Sequence, residues 1–409
     1  MRIAYIAPYQ GPSVVKRRPI FRNISLAAKV KIELVAELLQ SKLHEVEIMS
    51  QGEVIERKLK VYPAFFDAQP FSPTIPVHYS SSLPVRHVNG LWASVGMLRF
   101  FLRRHKASPF DVVLVYNLKL PQLVCAFYAA RYLRLPVILQ YEDDVFVDVS
   151  GKSESGLTAK CYRYLYKALL RAISGAICVS PHLISQMPAA IPKLLLRGMV
   201  DDDCLASSGH SGSPRNNWIV FSGTHFRTKG LKQLITAWRR IDVSGWQLHI
   251  AGGGELTAEL EEMAEGDESI VFHGVLDRQQ NARFVSSAKI GINPHDLSET
   301  PGNVFAFKIV EYLACGLHVI TTPMGALEPE LEEGITYMTD NSPDVIAATI
   351  RKVIEERSYN CTAEAAARKA YGATTISKSL DELVRGLVRP RATTPSTTKG
   401  SALADRCIG

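Results

Sequence analysis

The stretch FAFKIVEYLACGLHVITTP, residues 305–323, decides the fold. Ala306, Ile309, Val310, Leu313 and Ala314 recur at helical spacing. Gly316 follows as a stop that takes left-handed backbone at little steric cost, and LHVITT is a short β-branched run. Helix, glycine stop and buried strand make one unit of a parallel α/β sheet. Two charges interrupt the apolar pattern: Lys308 and Glu311 lie three residues apart and share a helical face. The segment before them, SETPGNVF, holds Pro301 and Gly302 and reads as a loop. A loop entering a helix points free N–H groups at whatever lies in front, which is an anion site. Taken alone, Lys308 and Glu311 read equally well as an exposed ion pair.

Working outward, the same alternation of strand and helix runs through most of the chain. MRIAYIAP is a buried strand, followed by a basic loop with Gly11, Lys16, Arg17 and Arg18, a long amphipathic helix and the strand HEVEIMS. FDVVLVYN, PQLVCAFYAARYLR and LPVILQYEDD form a further βαβ unit. Ligands of open parallel sheets bind beyond the carboxyl ends of the strands. Glu142, Asp143 and Asp144 stand at such an end, where carboxylates can take a hydroxyl proton, hold a sugar or, for Asp144, cap the next helix. The loop from Gly11 to Arg18 reads by itself as a solvated basic turn. After a Gly/Ser-rich stretch, WIVFSG, GTHFRTKG and GLKQLITAWRRI give strand, loop and helix. Arg227 and Lys229 at that helix start oppose the helix dipole, which favours a bound anion over a purely structural role. The GGG at 252–254 is weak evidence for a nucleotide by itself.

The 409 residues exceed one core and suit two α/β domains. These are placed at 1–204 and 218–373, with a linker at 205–217, a last helix near 374–388, and a disordered tail at 389–409. The seven cysteines are odd in number, scattered and without a C-x-x-C pair, so neither disulfides nor a zinc site are expected. No run after Arg2 is long enough for a signal peptide, and no 18-residue apolar run occurs, so a cytoplasmic protein is expected. The net charge of +7 comes without a nucleic-acid motif, and no nucleic-acid partner is expected. Residues 91–106 combine large apolar side chains with Arg99, Arg103, Arg104 and Lys106. That pattern fits an ordinary core-facing helix, or an interfacial helix at the inner face of an anionic membrane.

The order K-I-V-E-Y-L-A-C-G-L-H-V-I-T-T resembles the donor-binding signature of GT-B glycosyltransferases, in particular the large retaining family 4, whose form is K-x-x-E-[YA]-x-A-x-G-x-P-V-I. LLQSKLHEVEIMS is similar to the L-x-x-x-G-H-E-V-x-[IV] of the same enzymes, with Leu43 at the glycine position. The resemblance implies GT-B architecture: two Rossmann-like, doubly wound domains facing each other across a cleft, with the loop from Gly11 to Arg18 on the cleft and the last helix packing back on the first domain. It implies transfer of a sugar, with retention, from a nucleotide-diphosphate sugar to a carbohydrate or lipid-linked acceptor in polysaccharide or glycolipid synthesis, without a metal or other cofactor. Glu311 would hold the ribose. Lys229 and Arg227 would grip the diphosphate, with Asn303 at the position where many members carry a further glutamate; Glu299 lies nearby. Gly223, Thr224, Gly274, Val275, Gly302, Val304, Phe305 and Lys308 would complete the donor site. Glu142, Asp143 and Gly11 would face the acceptor. His318 replaces the signature proline, and Thr224 stands where the family has arginine. The rival readings are a nucleotide-sugar binding protein without catalysis, a GT-B-shaped sugar-nucleotide epimerase or hydrolase, and a nicotinamide-dependent oxidoreductase.

Overall fold

The computed structural model describes residues 1–18, 26–52, 54, 59–68, 75–85, 88–142, 157–200, 215–297, 305–325, 327–356 and 362–388. Asp143, Asp144, Glu299, Gly302, Asn303 and Val304 lie outside them, as do most of the expected linker and the tail.

Two sheets organise the chain. The first holds β1 (Arg2–Ile6), β2 (Glu45–Ser50), β3 (Phe65–Asp67), β4 (Val77–Tyr79), β5 (Val112–Tyr116), β6 (Val137–Tyr141), β7 (Gly175–Cys178) and β8 (Lys193–Leu195), in the order β3-β4-β2-β1-β5-β6-β7-β8. Every pairing is parallel except β3 with β4. β5 and β6 are buried at every position, as strands covered on both faces by helices must be. The second sheet holds β9 (Asn216–Thr224), β10 (Gln247–Gly253), β11 (Ile270–Gly274), β12 (Ala288–Asn293), β13 (His318–Thr321) and β14 (Ile335–Tyr337). Its order, β11-β10-β9-β12-β13-β14, is all parallel and is the 3-2-1-4-5-6 order of a doubly wound nucleotide fold. The direction of winding reverses between β9 and β12, so the crevice lies beyond the end of β9.

The helices that matter for the site are α1 (Pro12–Arg17), α2 (Leu26–Ser41), α3 (Asn89–Ala107), α4 (Leu120–Arg131), α5 (Leu157–Leu170) and α6 (Pro181–Ser185) on the first sheet. On the second they are α7 (Leu231–Trp238), α8 (Thr257–Ala264), α9 (Arg278–Ser286) and α10 (Phe307–Ala314), then α11 (Pro329–Glu332), α12 (Pro343–Glu356), α13 (Thr362–Tyr371) and α14 (Ala373–Leu387). α10 ends in the two bonds of a Schellman stop: the Leu317 N–H donates to the Tyr312 carbonyl and the Gly316 N–H to that of Leu313, both at 2.9 Å, with Gly316 at φ 77°. α14 crosses back: Ile376, Leu380, Leu383 and Val384 join the cluster of Ile3, Val35 and Leu39, and His44 bonds Asp381 at 2.7 Å. Among the described residues no helix is long and apolar enough to cross a membrane.

Three readings of the sequence need correction. Residues 12–17 are a helix rather than a loop: Pro12 has its φ pre-set for a first helical turn and no N–H to leave unpaired there. Arg18 is not a cleft cation but is 1% exposed, donating to the carbonyls of Gln51, Gly52, Pro63 and Ser80. Cys315 is disulfide-bonded, while Cys125 and Cys178 are free. Sequence spacing alone carries no information on such a pairing.

Candidate active site in the interdomain cleft

A cavity of about 320 Å³ lies beyond the carboxyl ends of β9 and β10, in the size range of small-molecule sites. Val30, Lys31 and Leu34 of α2 close it from the first domain. The second domain supplies Ser222, Gly223 and Thr224 from the end of β9, Lys229 from the following turn, Asn281 from α9, and Lys308 and Glu311 from α10. Winding order dictates this convergence, since β9 is the strand at the switch point.

Lys308 is the least ordinary of these groups. The residue is half-buried on the cavity wall, but its ammonium nitrogen is shut away from solvent, has no hydrogen-bond partner among the described residues and lies 3.6 Å from the centre of the Phe221 ring. A Cβ added to Gly223 would come within 2.7 Å of that nitrogen, so the glycine makes room for the lysine. Burial pushes the Lys308 pKa well below its usual value; Lys229 adds to the fall and Glu311 opposes it. Two imidazoles near these lysines are also held neutral. His295 is lowered to about 3 by burial and then by Lys229 and Lys308, and its Nδ1 has no partner among the described residues. His225 is lowered chiefly by burial, and its Nδ1 bonds Thr257 Oγ1 at 3.0 Å. A concave site with a buried, unpartnered cation beside a second lysine is built for an anion, because an uncompensated buried charge is costly when the site is empty.

Glu311 faces the same cavity from the next turn of α10. One of its oxygens accepts from Asn281 Nδ2 at 3.0 Å, and Asn281 Oδ1 accepts from Ser222 Oγ at 2.5 Å. Phe305 and Val275 also reach the wall. Gly274, at φ 63°, turns the chain just before Val275 and does not itself line it. Arg227 sits in the 3₁₀ turn Arg227–Lys229, exposed and off the cavity wall, two residues before the lysine that lines it. Among the described residues no group of three His, Cys, Asp or Glu is placed to hold a metal.

On the first domain, Glu142 lies at the end of β6, 5% exposed. It pairs with Lys31 at 2.6 Å, accepts from Gln140 Nε2 at 2.9 Å, and its N–H donates to Asn117 Oδ1 at 2.8 Å. The structure does not bring it to the cavity wall; Lys31 stands between, its ammonium 3.5 Å from the centre of the Phe307 ring at the start of α10. Gly11 precedes α1 and packs on Tyr9 and Tyr79, with its N–H donating to Tyr79 Oη at 3.1 Å. Sequence reasoning missed Lys31, Ser222 and Asn281. For Asn281 a signal existed: Asp277 and Gln280 form a capping box that fixes the start of α9 and places Asn281 in its first turn.

Comparison with known proteins bears on this geometry. Residues 216–356 match the family model of group 1 glycosyl transferases. A GDP-mannose-dependent alpha-(1-6)-phosphatidylinositol dimannoside mannosyltransferase of Mycobacterium tuberculosis is 32% identical over 109 residues, 26% of this chain and 27% of the relative, so the match spans about a quarter of that protein. Over the whole chain, a sucrose-phosphate synthase (tll1590) from Thermosynechococcus elongatus superimposes with a TM-score of 0.65 at 16% identity, covering 95% of this chain and 99% of the other. Anabaena Alr3699/HepE, solved with UDP-glucose, gives 0.63 at 15% identity over 94% and 100%. The second domain therefore matches the group 1 glycosyl transferases, and the whole chain has the GT-B fold.

Proposed function

We propose that the chain transfers a sugar from a nucleoside-diphosphate sugar to an acceptor hydroxyl, with retention at the anomeric carbon. The carrying observation is the buried, unpartnered Lys308 ammonium beside Lys229 and Glu311 in one cavity at the switch point. In this reading Lys229, Lys308 and the N-terminus of α10 take up the charge that builds on the diphosphate as the bond from C1 to its oxygen breaks. Glu311 holds the ribose hydroxyls; the acceptor hydroxyl oxygen bonds C1 from the face the diphosphate leaves, and its proton passes to the departing diphosphate. Two lysines and a helix terminus supply enough positive charge to make a metal unnecessary, so turnover is expected to survive a chelator. The mannosyltransferase relative and the UDP-glucose-bound neighbour support a nucleotide-sugar donor.

The test is calorimetric titration with UDP, GDP, ADP and NAD. One nucleoside diphosphate is expected to bind, and Glu311→Ala and Lys229→Ala should each weaken it about 10- to 100-fold, the worth of a charge-assisted hydrogen bond. Binding of NAD alone, or nucleotide binding indifferent to both changes, overturns the reading. Products then separate transfer from epimerisation.

The acceptor we propose is lipid-linked and reached from an anionic membrane surface. Along α3, Leu91, Trp92 and Val95 are 62%, 40% and 58% exposed, and Arg99, Arg103 and Lys106 continue the same outward stripe. The helix carries no acidic residue.

A further inference from the structure

The hydrogen bonds around Glu311 close into a ring. Ser222 Oγ donates to Asn281 Oδ1 at 2.5 Å, and Asn281 Nδ2 donates to Glu311 Oε1 at 3.0 Å. Tyr312, the next residue of α10, closes the circuit: its phenolic oxygen accepts the Ser222 backbone N–H at 2.8 Å. The ring thus ties β9, α9 and α10 together at the cavity wall. Tyr312 is fully buried, and its ring packs against Gly291, where a Cβ would collide with it.

The direction of each bond is forced. A carboxylate only accepts, so the amide nitrogen of Asn281 must face Glu311; the amide oxygen is then left for the Ser222 hydroxyl, which can donate. A flipped amide would set oxygen against oxygen at Glu311. A flexible glutamate on the first turns of an eight-residue helix would otherwise sample several rotamers. Here one oxygen is fixed, and with it the plane of the carboxylate. Asn281 is neutral, so this bond orients the carboxylate without itself neutralising it.

We propose that Asn281 is the positioning residue of Glu311, holding the carboxylate in the rotamer that meets the ribose diol, with Ser222 locking the amide. This rests on the reading of the cavity as a nucleoside-diphosphate site. A hydrogen bond that only stabilises the fold would lower affinity for every ligand of the cavity. A positioning bond lowers only the part of affinity that the ribose hydroxyls contribute.

The experiment compares UDP, GDP and ADP with their 2′,3′-dideoxy counterparts, by calorimetry, on the whole protein. The wild type is expected to prefer the ribo form at least 10-fold. Asn281→Ala should cut that preference at least fivefold, while affinity for the dideoxy form stays within twofold. Asn281→Asp, nearly isosteric, sets a carboxylate against Glu311 and should abolish the preference; it carries the test where the alanine variant folds poorly. Adding Asn281→Ala to Glu311→Ala should cost no further preference. Variants at Asn281 that keep the wild-type ratio, or lose both forms equally, overturn the proposal. If Glu311→Ala itself leaves the ratio unchanged, the ribose reading of the cavity falls and the proposal falls with it; if Glu311→Ala collapses the ratio and Asn281→Ala does not, only the proposal falls.

Discussion

At the scale of single residues, two side chains carry costs that the fold tolerates for different reasons. Leu43 follows α2 with φ 63° and is 89% exposed. Left-handed backbone costs a residue with a Cβ about 1–2 kcal/mol, and nothing is packed in return. Leu43→Gly should therefore raise stability by about 0.5–1 kcal/mol, the gain being reduced by glycine's larger unfolded-state entropy, and denaturant midpoints would show it. Lys308 has a different reason. Its pKa is depressed in the fold by burial first, while the unfolded chain keeps the lysine proton up to about 10.4. Between the folded pKa and that value the unfolded state binds more protons, so stability of the unliganded protein rises with pH through the window and is lost as pH falls. A diphosphate facing Lys308 favours its charged form. Binding should take up a proton, seen by calorimetry in buffers of different ionisation heat, and affinity should fall as pH climbs past the unliganded pKa. Lys308→Met should abolish that part of the uptake, and stabilise the empty protein by ~1 kcal/mol or more, since an unpartnered buried amine, costly in either protonation state, is removed. His225 and His295 lie near the lysines, both lowered by burial. The methionine variant separates their contribution from that of the lysine. Uptake unchanged in Lys308→Met would refute the assignment.

At the scale of elements, α14 belongs to the first domain although it is the last helix described. Leu380, 1% exposed, sits in the cluster of β1 and α2. Leu380→Ala should cost about 2–4 kcal/mol, and hydrogen exchange should report the loss in β1 and β2, more than 300 residues away in sequence. Exchange that quickens only in the second domain would contradict this packing. How far elements could be read beforehand follows from what sets them. α10 and β13 were legible because their apolar period, glycine stop and β-branched run all specify the same unit, and the stop took the expected left-handed form at Gly316. α1 was not, because six residues with three charges or hydroxyls hold too few apolar positions to show a period. Within the cavity, Lys229, Lys308 and Glu311 were legible from motif spacing, since all follow strand ends in one sheet. For Asn281 the capping box marks its place in the first turn of α9 but not its pairing: Ser222 and Glu311 are 59 and 30 residues away, and only the sheet order brings them together.

At the scale of the whole molecule, the question is whether the apolar stripe of α3 and the cleft face the same way. β4 runs parallel to β2, and α3 follows β4, so its N-terminal half lies at the carboxyl end of the sheet. Glu142 and the cavity lie beyond that end too. Leu91, Trp92 and Val95 occupy the cleftward half of the helix, and Arg99, Arg103 and Lys106 the far half. Arg104 is not part of the stripe, being paired with Glu47, whose pKa falls to about 2 although burial alone would raise it. An anionic surface would gain about 1 kcal/mol for each of three exposed cations, and the apolar residues would add their transfer into the headgroup region. The protein is expected to float with phosphatidylglycerol-containing vesicles at low salt, much less with pure phosphatidylcholine, and to be released as the Debye length shrinks toward 3 Å near 1 M salt. Replacing Leu91 and Val95 by serine should halve the floated fraction or more without moving the unfolding midpoint, because both side chains are already in water. Trp92 is left in place because its indole N–H donates to Ser81 Oγ at 3.0 Å. Retention in the soluble fraction at low salt would remove the membrane from this account. Flotation that the serine variants do not reduce would assign it to another face. Flotation lost with the stripe would set the cleft opening beside the bilayer, where an acceptor anchored in lipid can enter without leaving the membrane.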